Sequence, residues 1–291
     1  MLIPVYNWPV AGLVHDLLAQ RVAWPGPLEI LLLDDGSRAD IQLQNRPLGD
    51  LPGVQYRELP RNVGRAAIRN QLVAWAQHDW LLLLDNDSSL PTPDFLARYA
   101  AALDLAPVLV GGTCYAAEPP IDAALRLRWH YGQQREQRPA ARRQPHPYAQ
   151  LTINNLLIRA EVFRRFGLDE SLTRYGHEDT RFGWALRAAD VPVQHLDNPV
   201  QHDGLEPADV FLRKSGEAVL NLAALYRAEG LGTDTRLLQA ALRLRRLGLA
   251  GVARAALRAA ETRLRARVLA SSPDLRAFDL LKLSWLLQEL A

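Results

Sequence analysis

The chain has 291 residues, enough for one large α/β domain with an appendage or for two domains of average size. With 48 % hydrophobic and 23 % charged residues and a formal net charge of +2, it has a globular protein's composition and gives no reason to expect a nucleic-acid partner. The single cysteine, Cys114, excludes an internal disulfide or multi-cysteine metal site, and the lack of a long apolar run or leader pattern points to a cytoplasmic protein.

The first strand, Leu2 to Val5, starts so close to Met1 that a few residues upstream are expected. Val10, Leu13, Val14, Leu17 and Leu18 recur at helical spacing and predict a helix over 10–22. Trp24-Pro25-Gly26-Pro27 breaks the chain, and Leu28 to Leu33 reads as a buried strand ending in Asp34-Asp35-Gly36-Ser37. Val54 to Glu58 is a weaker strand, followed by a helix over about 65–77. Next comes Trp80 to Leu84, whose four consecutive leucines cannot alternate inside and outside. Such a strand is buried on both faces, as in a parallel sheet covered by helices. It stops abruptly at Asp85-Asn86-Asp87. This β-α-β-α-β-α-β rhythm argues for a doubly wound, mostly parallel, Rossmann-like α/β sheet.

A helix over 94–104 and a strand over 108–111 lead into residues 118–150, where Gln, Arg, Pro and His dominate towards the end. This stretch reads as a helix to about Arg135 and then a mobile basic loop over 133–150. Leu151 to Ile158 returns to strand, 160–166 is a turn or two of helix, Glu178 opens a helix through Ala189, and Val191 to Leu196 is a last strand. From Pro207 onward the chain is helical. The expected division is a catalytic domain over 1–205 and a helical region over 206–291.

Ligands of open α/β sheets bind beyond the carboxyl ends of the strands, where Asp85 and Asp87 fall. Two acids there suit a divalent cation on a phosphate-bearing substrate, although a strand ending in a polar turn looks the same. Asp34/Asp35, Asp85/Asp87, Glu178/Asp179 and His202 are all expected on one side of the sheet, which describes a metal-dependent site for a nucleotide-linked substrate. Arg65 opens a helix, where peptide N–H groups already favour anions, and is expected to neutralise a diphosphate unless it is simply solvated; Arg69, one turn further on, is a lesser candidate for the same role. Glu178 and Asp179 lie in a first helical turn, where the dipole favours ionised carboxylates; they are a base and its support, or capping acids.

In order along the chain, Ile3-Pro4-Val5-Tyr6-Asn7, Leu33-Asp34-Asp35-Gly36-Ser37, Arg61-Asn62-Val63-Gly64-Arg65, Leu84-Asp85-Asn86-Asp87, Gly176-His177-Glu178-Asp179 and His202 together resemble a family-2 glycosyltransferase of the GT-A fold. The stretch 175–205 is also similar to the carboxy-terminal part of galactosyl- and N-acetylgalactosaminyl-transferase catalytic domains. The resemblance implies that Pro4, Tyr6 and Asp35 contact the nucleoside of a nucleotide-sugar donor, foremost a UDP-sugar. Asn62, Gly64, Arg65, Asp85 and Asn86 complete the donor site, with Asp85 on the ribose or a metal-bound water. Asp87 and His202 are the implied metal ligands, and a nitrogen donor among oxygens favours Mn2+ over Mg2+. Asp179 is the implied general base and Glu178 its neighbour at the acceptor, a glycan or lipid-linked hydroxyl in surface polysaccharide or glycoconjugate synthesis. His195, inside a strand, is expected to be structural.

Two rival functions are weighed. A haloacid-dehalogenase-type phosphotransferase also carries two Asp after a buried strand, but wants a Thr or Val two residues past the second Asp and a later Lys; here stand Ser88-Ser89 and only Lys214 and Lys282. A non-catalytic nucleotide-sugar-binding protein has no need of both Asp87 and Asp179. The Arg-rich helices over 236–269 either pack on the catalytic domain with Arg solvated, or lie on an anionic membrane at the inner face.

Overall fold

In a computed structural model, the structure describes residues 1–171 and 175–291. Ten strands are described: β1 (Leu2–Val5), β2 (Ile30–Asp34), β3 (Val54–Glu58), β4 (Trp80–Leu84), β5 (Ser88–Ser89), β6 (Val108–Val110), β7 (Thr113–Cys114), β8 (Asn155–Arg159), β9 (Val193–His195) and β10 (Val200–His202). Seven form one sheet in the order β3-β2-β1-β4-β8-β6-β9, and a small second sheet has the order β5-β10-β7. All neighbours in the large sheet run parallel except β8, which is antiparallel to β4 and β6. The doubly wound, mostly parallel architecture anticipated from the sequence is therefore present.

The leucine strand behaves as its composition requires. Leu81 and Leu83 enter one core with Leu31, Leu33, Phe163 and Phe182, while Leu82 and Leu84 enter the other with Ile30, Leu32, Phe95 and Tyr99. Helices α1 (Ala11–Ala19), α2 (Ala39–Asn45), α3 (Arg65–Trp75) and α4 (Phe95–Ala100) connect the first strands. Further helices are α5 (Arg126–Tyr131), α6 (Ala140–Arg143), α7 (Ala160–Phe166) and α8 (Glu178–Ala188). Helix α2 has only two buried residues, Ile41 and Asn45, so periodicity gives it almost no signal.

The expected mobile loop over 133–150 is instead structured. Residues 132–136 form a π-helical turn, α6 follows, and Arg143 is buried. Its guanidinium donates to the carbonyls of Val110 at 3.2 Å, Gly111 at 3.0 Å and Leu196 at 2.6 Å, and meets His195 Nδ1 at 2.6 Å. His195 Nε2 lies 2.9 Å from the Pro147 carbonyl, so the ring donates from Nε2 and accepts at Nδ1. Burial holds this histidine neutral, pushing its pKa down to about 4. An arginine satisfying strand-end carbonyls thus replaces the apolar anchor that the sequence lacks.

The described residues divide into two compact units, one comprising residues 1–116, 135–171 and 178–204, the other 117–134, 175–177 and 205–291. The second contains α5 and helices α9 (Ala208–Glu229), α10 (Arg236–Arg246), α11 (Ala250–Ala259), α12 (Glu261–Val268) and α13 (Leu275–Glu289). Its core includes the aromatic trio Tyr131, Phe211 and Phe278, with ring centroids 5.2–5.7 Å apart. No described helix is long and apolar enough to cross a membrane.

Arg143→Leu removes the donor to the Leu196 carbonyl and the hydrogen bond to His195 Nδ1, and leaves the Val110 and Gly111 carbonyls only the backbone N–H groups of Leu196 and Asn198. Chemical unfolding followed by circular dichroism should show a loss of about 2–4 kcal/mol, and a midpoint equal to wild type would refute the anchoring role.

Candidate active site

Because β1, β2 and β4 are parallel, their carboxyl ends share one edge of the sheet. The acids that end them do different work. Asp34 caps the turn after β2, accepting from Ser37 N at 2.7 Å and from Gln42 and Tyr56 side chains. Asp35 clasps the loop before α3, its two oxygens accepting from Val63 N at 2.7 Å and Gly64 N at 3.3 Å. Gly36 makes this possible: it has φ +72°, and a Cβ there would collide with the Arg61 backbone. Burial pushes the Asp35 carboxyl up, against the pull of those two N–H groups.

Arg69, buried on α3, bonds Asp85 directly and donates to the Arg65 carbonyl at 2.9 Å. The half-exposed Arg65 places its guanidinium 3.7 Å from the other Asp85 oxygen. Asp85 is thus already held by two cations. Asn86 donates to the Tyr6 carbonyl at 3.2 Å, tying the β4 turn to the half-exposed Tyr6 after β1. Pro4 sits inside β1 opposite Leu33, and the exposed Asn62 makes no side-chain hydrogen bond among the described residues.

The antiparallel β8 brings in the last acid. Asp85 N donates to Asn154 O at 3.3 Å, and the adjacent Ile153 N donates to Asp179 Oδ2 at 3.1 Å. The Asp179 carboxylate therefore lies at the same sheet edge as Asp85. Burial pushes its pKa up to about 6; Arg69 opposes that shift, and neighbouring Glu178 adds to it. Arg69 acts electrostatically on Asp35 and Asp179 besides binding Asp85, while Arg65 acts on Asp87 and Asp179.

His202 comes to Asp87 through the small sheet: the expected strand over 191–196 is not the last, and β10 follows it. In β10 it lies opposite Ser88 of β5, one residue beyond Asp87, and Asp203 N donates to Asp87 O at 2.8 Å. His202 Nδ1 stands 3.6 Å from Asp87 Oδ1, beyond hydrogen-bond length. Burial would raise the Asp87 pKa, but His202 and Arg65 outweigh it and hold the carboxyl below its ordinary range. Asp87 Oδ1 and Asn154 Oδ1 are buried with no hydrogen-bond partner. A buried carboxylate oxygen with an unused lone pair, facing an imidazole nitrogen across a gap, fits a divalent cation. No cluster of three or more His, Cys, Asp and Glu that could hold an ion occurs among the described residues. Gly204 closes the rear, since a side chain there would overlap the Asp87 carboxylate.

Sequence reasoning left Arg69 as a minor candidate and missed Asn154 altogether. Only the helical spacing from Arg65 to Arg69 could have pointed to the first; nothing local distinguishes the second.

The sequence profile of glycosyl transferase family 2 matches residues 1–167, and the chain belongs to that family of sugar-transferring enzymes. The match stops short of 175–205, so it adds nothing to that stretch's likeness to galactosyl-type domains. Among solved structures, the fold is similar to the mannosyltransferase PcManGT from Pyrobaculum calidifontis in complex with GDP-Man and Mn2+. The TM-score is 0.62 at 16 % identity, over 99 % of this chain and 86 % of that one. TarS 1–349 of S. aureus aligns with TM-score 0.50 at 13 % identity, over 97 % and 88 % of the two chains. No curated protein sequence matches.

Gly204→Ala should displace the Asp87 carboxylate while leaving the main sheet intact. Were Asp87 to ligate a cation, calorimetric titration with nucleotide and Mn2+ would then show affinity at least about tenfold weaker than wild type. Wild-type affinity in this variant would count against Asp87 as a cation ligand.

Proposed function

We propose that the enzyme transfers a sugar from a nucleotide-sugar donor, foremost a UDP-sugar, to a hydroxyl of a glycan or lipid-linked acceptor by single displacement, inverting the anomeric centre. The observation that carries this reading is the gathering of Asp35, Asp85 and Asp179 at one sheet edge, with Asp85 on the buried Arg69 and Asp179 tied beside it through the backbone of Ile153 and Asn154. The reading places the protein in the cytoplasm, in surface polysaccharide or glycoconjugate synthesis, and takes 1–205 as the catalytic domain with 206–291 as a helical appendage.

Roles follow from charge and position. Tyr6 and Asp35, with Pro4, hold the nucleoside, and Asn62, Gly64 and Asn86 line the donor's path. Asp87 and His202 hold a divalent cation, Mn2+ in preference to Mg2+ because one donor is nitrogen. Such an ion supplies charge neutralisation at the departing diphosphate. Arg65, at the positive end of α3, faces the same diphosphate, and Asp85 keeps that guanidinium in place. Asp179 removes the acceptor's hydroxyl proton, for which a carboxylate with a pKa near 6 is better matched than an ordinary aspartate. Glu178 sets the acceptor beside it. No covalent intermediate is required. The mannosyltransferase of similar fold, in complex with GDP-Man and Mn2+, supports the donor class and a divalent ion, and makes GDP-sugars the first alternative to test against UDP-sugars.

Asp179→Asn should lower turnover by about 10²–10⁴-fold while donor affinity stays within about threefold. In the wild type, kcat/KM should fall tenfold per pH unit once the pH drops below about 6, as the base takes up its proton. A raised carboxyl pKa also means that ionised Asp179 weakens the fold as pH rises from the unfolded value of 3.8 through about 6. The Asn variant should therefore melt higher than wild type at pH 8. Full turnover by Asp179→Asn would end the assignment of the base. A thermal-shift panel of UDP- and GDP-sugars with Mn2+ tests the donor, and no shift with any nucleotide sugar would overturn the reading.

A further inference from the structure

Between Thr235 and Ala260 the chain carries six arginines and no acidic residue, although its overall formal charge is only +2. These are Arg236, Arg243, Arg245, Arg246, Arg254 and Arg258, and none takes part in an ion pair among the described residues. Elsewhere in the same unit Arg265 and Arg267 are paired, with Glu261 and Asp274.

The corner between α10 and α11 adds an apolar element to that charge. Leu247 is 62 % exposed, Leu249 48 % and Val252 69 %, three large apolar side chains within six residues. The corner is a built turn. Gly248 has φ +72°, its N–H bonds Arg245 O at 3.0 Å, and Leu249 N bonds Leu244 O at 2.9 Å. That pair of bonds is a helix-terminating motif that needs glycine at its left-handed position. Leucines on either side of such a glycine are held out in the open by the backbone. Helix α10 buries Leu238 and Ala241, whereas α11 buries no residue and exposes Gly251, Val252, Ala255, Ala256 and Ala259.

We propose that this corner is a peripheral docking surface for a bilayer of anionic phospholipid. Leu247, Leu249 and Val252 enter the headgroup–acyl boundary, and the unpaired arginines meet lipid phosphates and carboxylates. Each half of the argument is needed. Basic charge alone gives weak, salt-labile attraction, and a few apolar side chains alone give marginal insertion; together they give lasting peripheral attachment. Duplex nucleic acid would use the arginines but leave three leucine and valine side chains without a partner. The surface is argued from this helical unit alone and does not depend on the sugar-transfer chemistry.

Sedimentation of the full chain with vesicles decides it. Wild type should pellet with phosphatidylcholine vesicles containing phosphatidylserine, and at least about tenfold less with phosphatidylcholine alone or at high salt. Two exposed-site variants, Arg245→Glu with Arg246→Glu and Leu247→Asp with Leu249→Asp, should each lower partitioning by about tenfold at unchanged melting temperature. No pelleting by wild type, equal pelleting with the neutral vesicles, variants that partition like wild type, or retardation of duplex DNA in place of vesicle binding would each overturn the proposal. The wild-type comparison stands even if a variant fails to fold.

Discussion

Carboxylates gathered at one edge of a sheet repel one another, and the buried guanidinium of Arg69 is what lets this set persist. It binds Asp85, carries the α3 turn through the Arg65 carbonyl, and acts on both Asp35 and Asp179. An arginine cannot release its charge on burial as a lysine can, so a fixed positive centre is built into the sheet edge. Asp179 nonetheless remains pushed up, because the loss of water around it outweighs the attraction. The site thus holds one carboxylate in an ion pair with arginine and a second whose pKa burial pushes up to about 6, a difference made by environment alone.

Those parts of the fold with a strong local signal were legible in the sequence. Four leucines in a row allow only a strand buried on both faces, and the two cores of the large sheet share them as alternate residues. Parallel order then places the ends of β2 and β4 together, so Asp35 and Asp85 could be assigned to one edge before any coordinates. Asp87 and His202 were paired only through resemblance. Their actual link is a two-residue strand, too short to leave a pattern. The 133–150 stretch was misread because its anchor is a charged residue: composition shows arginines, not which of them finds three carbonyls. Arg69 was undervalued for the same reason.

The helical unit shows where sequence periodicity stops informing function. Its apolar stripes place Leu238, Leu264 and Leu281 in cores as any amphipathic helix would. Exposed leucines at a glycine-terminated corner look identical in sequence to buried ones. Only the fold separates Leu238 from Leu247.

The ribbon of β5 and β10 has a consequence for how the site comes apart. Asp179 and Asp85 hang from the seven-stranded sheet, whereas Asp87 and His202 are joined by two facing residue pairs, Ser88 with His202 and Ser89 with Gln201, and by the bond from Asp203 N to Asp87 O. A ladder that short opens long before the main sheet does, and its partners are distant along the chain, so it forms late in folding. The Asp179 side of the site is therefore the sturdy one and the Asp87–His202 side the frail one, and whatever occupies the second acts as its missing rungs.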